Sequence, residues 1–166
     1  MPQQVSFSTF LTVYESLEAL SSTDRDLLLH ARQACQRAYA PYSNFYVGAA
    51  ILLENGQVVT GTNQENAAYP SGICAERTAI FWTGAQYPNE KILAVAIAAH
   101  PKGGLFVPIS PCGACRQVLS EYENKQESPI RLIMQAENGS FYVIRSVNDL
   151  LPLKFSKENL ERAKTE

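Results

Sequence analysis

The chain has 166 residues, 46% of them hydrophobic and 18% charged, which suits a single globular domain with a sizeable core and excludes disorder except at the ends. Its 14 basic and 16 acidic residues are scattered to a net charge of -2, so no basic stripe stands ready for a nucleic-acid backbone. The longest uninterrupted apolar run, Ile92 to Ala99, is far short of the ~20 residues that span a bilayer, and the N-terminus shows no basic segment leading into an apolar one.

Residues 1–22 alternate polar and apolar positions weakly and read as an N-terminal extension, with a short helix expected near Glu15 to Leu20; residues 23–166 read as the main folded domain. From Thr23, with Asp26 as a partial capping box, Leu27, Leu28, Ala31, Ala34, Cys35 and Ala38 recur at helical spacing until Pro41. Cys35 lies on that apolar stripe and is expected to be buried filler. Val47 to Leu53 and Gln57 to Gly61 flank Asn55-Gly56, a two-residue hairpin signal for the first two strands.

A helix is expected from Cys74 to Gln86, a buried strand over Ile92 to Ala98, a helix from Cys112 to about Tyr122, and a strand over Ile130 to Met134. The alternation implies right-handed crossovers and parallel pairing. Asn138-Gly139 then joins Ile130–Met134 to Phe141–Ile144 with too few residues for a crossover, so the last two strands must be antiparallel. Ser156 to about Ala163 reads as a terminal helix after the break at Pro152. The expected architecture is an α/β fold, a three-layer α/β/α domain around a mixed five-stranded sheet.

Four cysteines are too few to staple a chain of this length, so a reducing cytoplasm is the expected setting, and clustered cysteines there point to metal binding or redox chemistry. Cys112 and Cys115 form a C-x-x-C at a helix start, where free N–H groups and the helix dipole favour thiolates. Alone, that pair is ambiguous between zinc and redox roles. Cys74 opens the preceding helix, and helices flanking a parallel strand bring their N-termini to one sheet edge, so three thiolates can meet one zinc ion. Three protein ligands leave the fourth tetrahedral position open, the pattern of a catalytic site.

Glu76, two residues beyond Cys74, can serve as the general base toward water at that position. Three thiolates leave Zn²⁺ with a formal charge of -1, which Arg77, Arg116 and the two helix N-termini are expected to offset. His30 and His100 stand in no motif and are not expected to ligate metal.

C-A-E at 74–76 with P-C-G-A-C-R-Q at 111–117 resembles the zinc signature of the cytidine deaminase superfamily, whose general chemistry is a cysteine-bound zinc with a non-ligand glutamate. Over roughly residues 25–160 the finer resemblance is to the small-subunit deaminases of free nucleosides. It is carried by A-P-Y-S-N-F-Y-V-G-A-A at 40–50, N-Q-E-N-A-A-Y-P at 63–70, G-I-C-A-E-R-T-A-I at 72–80 and L-L-P-L-K-F at 150–155.

The resemblance implies zinc-dependent hydrolytic deamination of cytidine and 2′-deoxycytidine in pyrimidine salvage. It further implies that Asn63 and Glu65 bind the ribose hydroxyls, that Phe45 packs near the pyrimidine, and that the Ala75 amide meets the base carbonyl. By the same resemblance Arg77 bonds the ligand sulfurs, and Phe155 reaches a neighbouring subunit's site in a homotetramer. The alternation of side chains along an extended segment suits the Asn63/Glu65 pair, since residues two apart point the same way.

Tyr46 stands where many relatives have proline. Three rivals stay open: a deaminase of an aminopyrimidine antibiotic such as blasticidin S, a nucleic-acid-editing deaminase, and a non-enzymatic zinc module. The Asn63/Glu65 pair favours a nucleoside. The hairpin at Asn138-Gly139 disfavours the editing enzymes, which insert a helix there and pair the strands in parallel.

Overall fold

The computed structural model describes residues 2–162. Its centre is β4 (Ile92–Pro101), apolar along most of its length because both its faces are covered. Alternation sorts that run into two cores: Ala94, Ala96 and Ala98 face α1 (Ser22–Ala34), whereas Val95 and Ile97 face α2 (Ala75–Gln86) and α3 (Gly113–Gln126). β2 (Phe45–Leu53) repeats the division, with Ala50 on the α1 side and Ala49, Ile51 and Leu53 on the other. The three-layer α/β/α arrangement is therefore the one expected.

The sheet order is β1-β6-β5-β4-β2-β3, with β1 at Leu11–Tyr14, β3 at Val58–Thr62, β5 at Arg131–Gln135 and β6 at Phe141–Ile144. β4 and β5 pair in parallel, β2 is antiparallel to both β3 and β4, and β5 and β6 are antiparallel as the short connection requires.

The sheet has six strands rather than five, because β1 (Leu11–Tyr14), from within the N-terminal extension, pairs antiparallel with β6. Its partner lies some 130 residues away, in the register Leu11↔Ile144 to Tyr14↔Phe141, so no local signal announces it. Where a short helix was expected near 15–20, Leu17–Ala19 form a single 3₁₀ turn.

Boundaries shift where capping chemistry decides them. α1 starts at Ser22 because the Ser21 hydroxyl accepts from the Asp24 amide, two residues before the expected Thr23/Asp26 box. α3 runs on to Gln126 and ends at Glu127, which takes the left-handed conformation with φ 54°. The terminal helix α4 covers Lys157–Arg162, and the expected end at Ala163 lies outside the described residues.

The β2–β3 hairpin closes with three residues, since Leu53 N donates to Gln57 O and only Gly56 of the loop has positive φ, at 84°. The β5–β6 turn likewise spans residues 137–139, with Asn138 and Gly139 both left-handed.

Two glycines set how closely the helices approach the sheet. A Cβ on Gly48 would stand 2.1 Å from the Ala31 carbonyl oxygen, and one on Gly61 would stand 2.4 Å from Ala79 N and 2.6 Å from the Ala75 carbonyl oxygen. The second contact presses the first turn of α2 onto β3 and so fixes where residues 74–77 lie.

Candidate active site

β3 and β4 are both antiparallel to β2, so they run the same way, and α2 and α3 begin just beyond their C-terminal ends. That edge is where ligands settle in open α/β sheets. Cys74 and Cys112 are the N-caps of α2 and α3, each with extended backbone and no cap hydrogen bond from its side chain. Their sulfurs are thus free to turn toward each other, and Cys115 completes the group one turn into α3.

The Cys74–Cys112 and Cys112–Cys115 sulfurs lie 3.9 Å and 3.5 Å apart, and all three fall within 4.8 Å of one another. Zinc–sulfur bonds of about 2.3 Å at tetrahedral angles require sulfur separations of about 3.8 Å, so the soft thiolate donor set fits zinc in both distance and chemistry. The same three are free cysteines, as is Cys35.

Electrostatics at this end favour one thiolate even before a metal arrives. The Cys74 thiol is lowered to about 5, first by a hydrogen bond from Cys115 and then by Arg77, whose Nη2 lies 3.8 Å from its sulfur. Cys115 is pushed far up in turn, because its proton is the one donated to Cys74 and because it is buried. A cation replacing that proton is the natural way to ionise the second and third sulfurs.

Glu76 is 5% exposed, and burial followed by the negative charge of Cys74 raises its carboxyl above the usual range. A buried carboxyl tuned upward in a cleft is suited to taking up and returning a proton.

These groups face a cavity of about 640 Å³, within the size range of small-molecule sites. Its lining includes Phe45, Asn63, Glu65, Cys74, Ala75, Glu76, Arg77 and Cys112, so the sequence candidates other than Cys115, Arg116 and Phe155 border one space. Cys115 is buried behind it. As the first residue of α2, Ala75 carries one of the N–H groups that a helix leaves without an internal partner.

Opposite the sulfurs, the backbone of Gln64 pairs with Ile73 and with Tyr39, which holds residues 63–65 extended and points Asn63 and Glu65 the same way. Both side chains also grip the β2 entrance. Asn63 Nδ2 donates to Phe45 O at 2.9 Å and Asn63 Oδ1 accepts from Val47 N at 2.8 Å. Glu65 Oε2 accepts from the amides of Tyr42 and Ser43 at 2.9 and 3.2 Å, while Oε1 accepts from the Ser43 hydroxyl. One amide hydrogen of Asn63 and one lone pair of Glu65 Oε1 stay available to a ligand.

Other expectations resolve as follows. Arg116 does not face the sulfurs: its Nε donates to Pro111 O at 2.8 Å and its Nη1 to Leu150 O at 3.2 Å, so it ties the C-x-x-C loop to the C-terminal segment. Of the two expected arginines, only Arg77 stands beside a thiolate. Cys35 is fully buried, bonded to the Ala31 and Ala98 carbonyls and pushed up to about 11 by burial. His30 and His100 lie 2.9 Å from the backbone oxygens of Asp26 and Pro101.

Tyr46 remains in β2 and stacks on His100 at 5.4 Å, packed with the α1-side core and away from the cavity. Phe155 is exposed, and its carbonyl accepts from Gln117 Nε2 at 2.8 Å. Tyr42, Ser43, Tyr69 and Ile109 also line the cavity and were not singled out from the sequence. The first two lie inside the 40–50 motif, whose functional signal was carried by Phe45 alone. Tyr42 and Tyr69 meet edge to face at 5.9 Å on the cavity rim.

Residues 21–127 match the family described as the cytidine and deoxycytidylate deaminase zinc-binding region. A cytidine deaminase of Halalkalibacterium halodurans is 39% identical over 138 residues, covering 82% of this chain and 98% of that protein. One from Mycobacterium tuberculosis is 37% identical over 139 residues, covering 80% and 90%. The crystal structure of a cytidine deaminase from Burkholderia pseudomallei superposes with a TM-score of 0.68 at 39% identity, covering 82% of this chain and 100% of that one. With its thiolate trio, buried glutamate and fold shared across four-fifths of its length, the chain belongs to the zinc-dependent cytidine deaminase family.

Proposed function

We propose that the protein hydrolyses cytidine and 2′-deoxycytidine to uridine and 2′-deoxyuridine with release of ammonia, as a pyrimidine-salvage enzyme of the reducing cytoplasm. The observation that carries this reading is the two-ended cavity: a buried carboxyl beside three convergent sulfurs at one end, and a donor–acceptor pair suited to a sugar hydroxyl at the other. Cys74, Cys112 and Cys115 would hold the zinc, which when bound supplies a water acidic enough to react near neutral pH.

Glu76 takes a proton from the attacking water and places it on N3 of the ring as the new bond forms at C4. It then moves the second proton to the amino group, the C4–N4 bond breaks, and the water oxygen stays behind as the uridine carbonyl. The Ala75 amide holds the base carbonyl, and Phe45 packs against the ring. Glu65 accepts from a sugar hydroxyl while Asn63 donates to it.

Among the described residues no helix is long and apolar enough to cross a membrane. We read the assembly as a homotetramer in which Phe155, 58% exposed on its own chain, reaches a neighbour's site, and we expect no nucleic-acid or membrane partner. A tetramer's mass in light scattering after size exclusion would support that assembly.

The deciding assay follows loss of cytidine absorbance with wild type and Glu76→Ala, offering cytidine, 2′-deoxycytidine, blasticidin S and a cytosine-containing oligonucleotide. Turnover of both nucleosides by wild type only is the expected result. Activity on the oligonucleotide or blasticidin S alone, or an equally active variant, would overturn the reading.

A further inference from the structure

Ser43 sits where two anchoring groups of the cavity meet, though it is exposed and carries no charge. Its hydroxyl has one proton and two lone pairs, and the neighbours decide how they are used. The Phe45 amide donates to Ser43 Oγ at 3.0 Å, which occupies a lone pair and aims the proton elsewhere. Among the described residues the carboxylate it meets is that of Glu65, and Oγ donates to its Oε1. The Ser43 amide also donates to Oε2 of the same carboxylate, so one residue grips both oxygens.

We infer that Ser43 is a positioning residue for the deamination, holding the Glu65 carboxylate in the rotamer that meets the sugar and tying it to the backbone of Phe45. The inference rests on the proposed sugar contact of Glu65. The Tyr42 and Ser43 amides hold Oε2 alone, and without the hydroxyl the carboxylate can rotate about that single anchored oxygen. Oε1, the oxygen with a lone pair to spare, would then leave its place. Asn63 grips the far side of the same turn through Phe45 O, so loss of the hydroxyl slackens the sugar end without touching the sulfurs.

The test uses the zinc-loaded full chain and steady-state kinetics on cytidine and on 2′,3′-dideoxycytidine, which offers neither sugar hydroxyl at those carbons. Ser43→Ala should raise KM for cytidine about ten-fold, as loss of a hydrogen bond to a charged group does, with little change in kcat. KM for the dideoxynucleoside should hardly move, and Ser43→Thr, which keeps the hydroxyl, should restore cytidine binding. The double variant Ser43→Ala/Glu65→Gln should lose no more than Glu65→Gln alone.

Equal losses on both substrates would mean that Ser43 acts on the loop as a whole, and additive losses would mean that it touches substrate itself. An unchanged Ser43→Ala enzyme would mean that the amides suffice. Each of these overturns the assignment while Glu65→Gln still separates the two substrates. If Glu65→Gln fails to separate them, the sugar contact is what falls, and the assignment falls with it.

Discussion

The two ends of the cavity are built on opposite plans. At the sulfur end, two helices begin with cysteines whose side chains make no capping bonds, and three sulfurs converge within 4.8 Å of one another. At the end proposed to take the sugar, Asn63 and Glu65 are already bonded to the β2 entrance and keep only part of their capacity for a ligand. The first end is poised for chemistry, in that burial and like charge raise Glu76 and the sulfurs compete for a proton. The second is preorganised for recognition, since little ordering is left to be done when the ligand arrives. Disturbing the first should therefore act on metal content and kcat, and disturbing the second on KM.

The largest effect expected is from Cys112→Ala. It leaves two sulfurs, Cys74 and Cys115, where three are needed. Zinc content by elemental analysis should fall from one per chain toward zero, with activity lost altogether. Chelation of wild type should give the same loss, reversed by added Zn²⁺.

Glu76→Gln should keep its zinc, since Glu76 is no member of the sulfur cluster, yet lose about 10²–10⁴-fold in kcat as removal of a general acid–base group does. The contrast between these two variants separates holding the metal from moving the proton. A Glu76→Gln protein that turned over cytidine at the wild-type rate would remove the carboxyl from the chemistry.

At the other end, Asn63→Ala should cost about ten-fold or more in kcat/KM for cytidine, mostly through KM, while zinc content stays at one per chain. It also frees the Phe45 carbonyl and the Val47 amide, so part of the cost comes from the slackened start of β2. A loss confined to kcat would erase the division of labour between the two ends.

The same division governs what could be read from the sequence. The sulfur end was legible because its requirements are local: cysteine spacing, helix starts and a glutamate two residues on all lie within short stretches at 74–77 and 111–116. The antiparallel β5–β6 hairpin was legible for a related reason, as the six residues between Met134 and Phe141 permit no crossover. The contacts at the sugar end join segments about twenty residues apart, so the Ser43–Glu65 and Asn63–Val47 bonds were invisible until the chain was folded.

Arg116 was misplaced because adjacency in sequence to Cys115 does not fix where a long side chain ends, and two backbone carbonyls claim it. β1 was missed because an exposed edge strand needs little apolar alternation and its register is set by a distant partner.

The smallest effect expected lies in the charge beside the sulfurs. Arg77 Nη2 approaches the Cys74 sulfur at 3.8 Å, and a positive charge there favours the thiolate. In metal-stripped protein Cys74, held down to about 5, is ionised at pH 7, whereas buried Cys35, at about 11, keeps its proton. Alkylation of Cys74 by iodoacetamide should accordingly be nearly independent of pH above neutrality and fall away as pH drops through about 5, and Cys35 should stay unmodified.

Arg77→Gln removes the charge but leaves the hydrogen bond from Cys115, the larger cause of the shift, so the midpoint of that alkylation profile should move upward without reaching that of a free thiol. With zinc restored, kcat should fall less than about ten-fold, because this charge acts on a centre that two helix N-termini already temper. An alkylation midpoint unmoved by the substitution would assign the low Cys74 value to the sulfur cluster alone and leave Arg77 as part of the cavity wall.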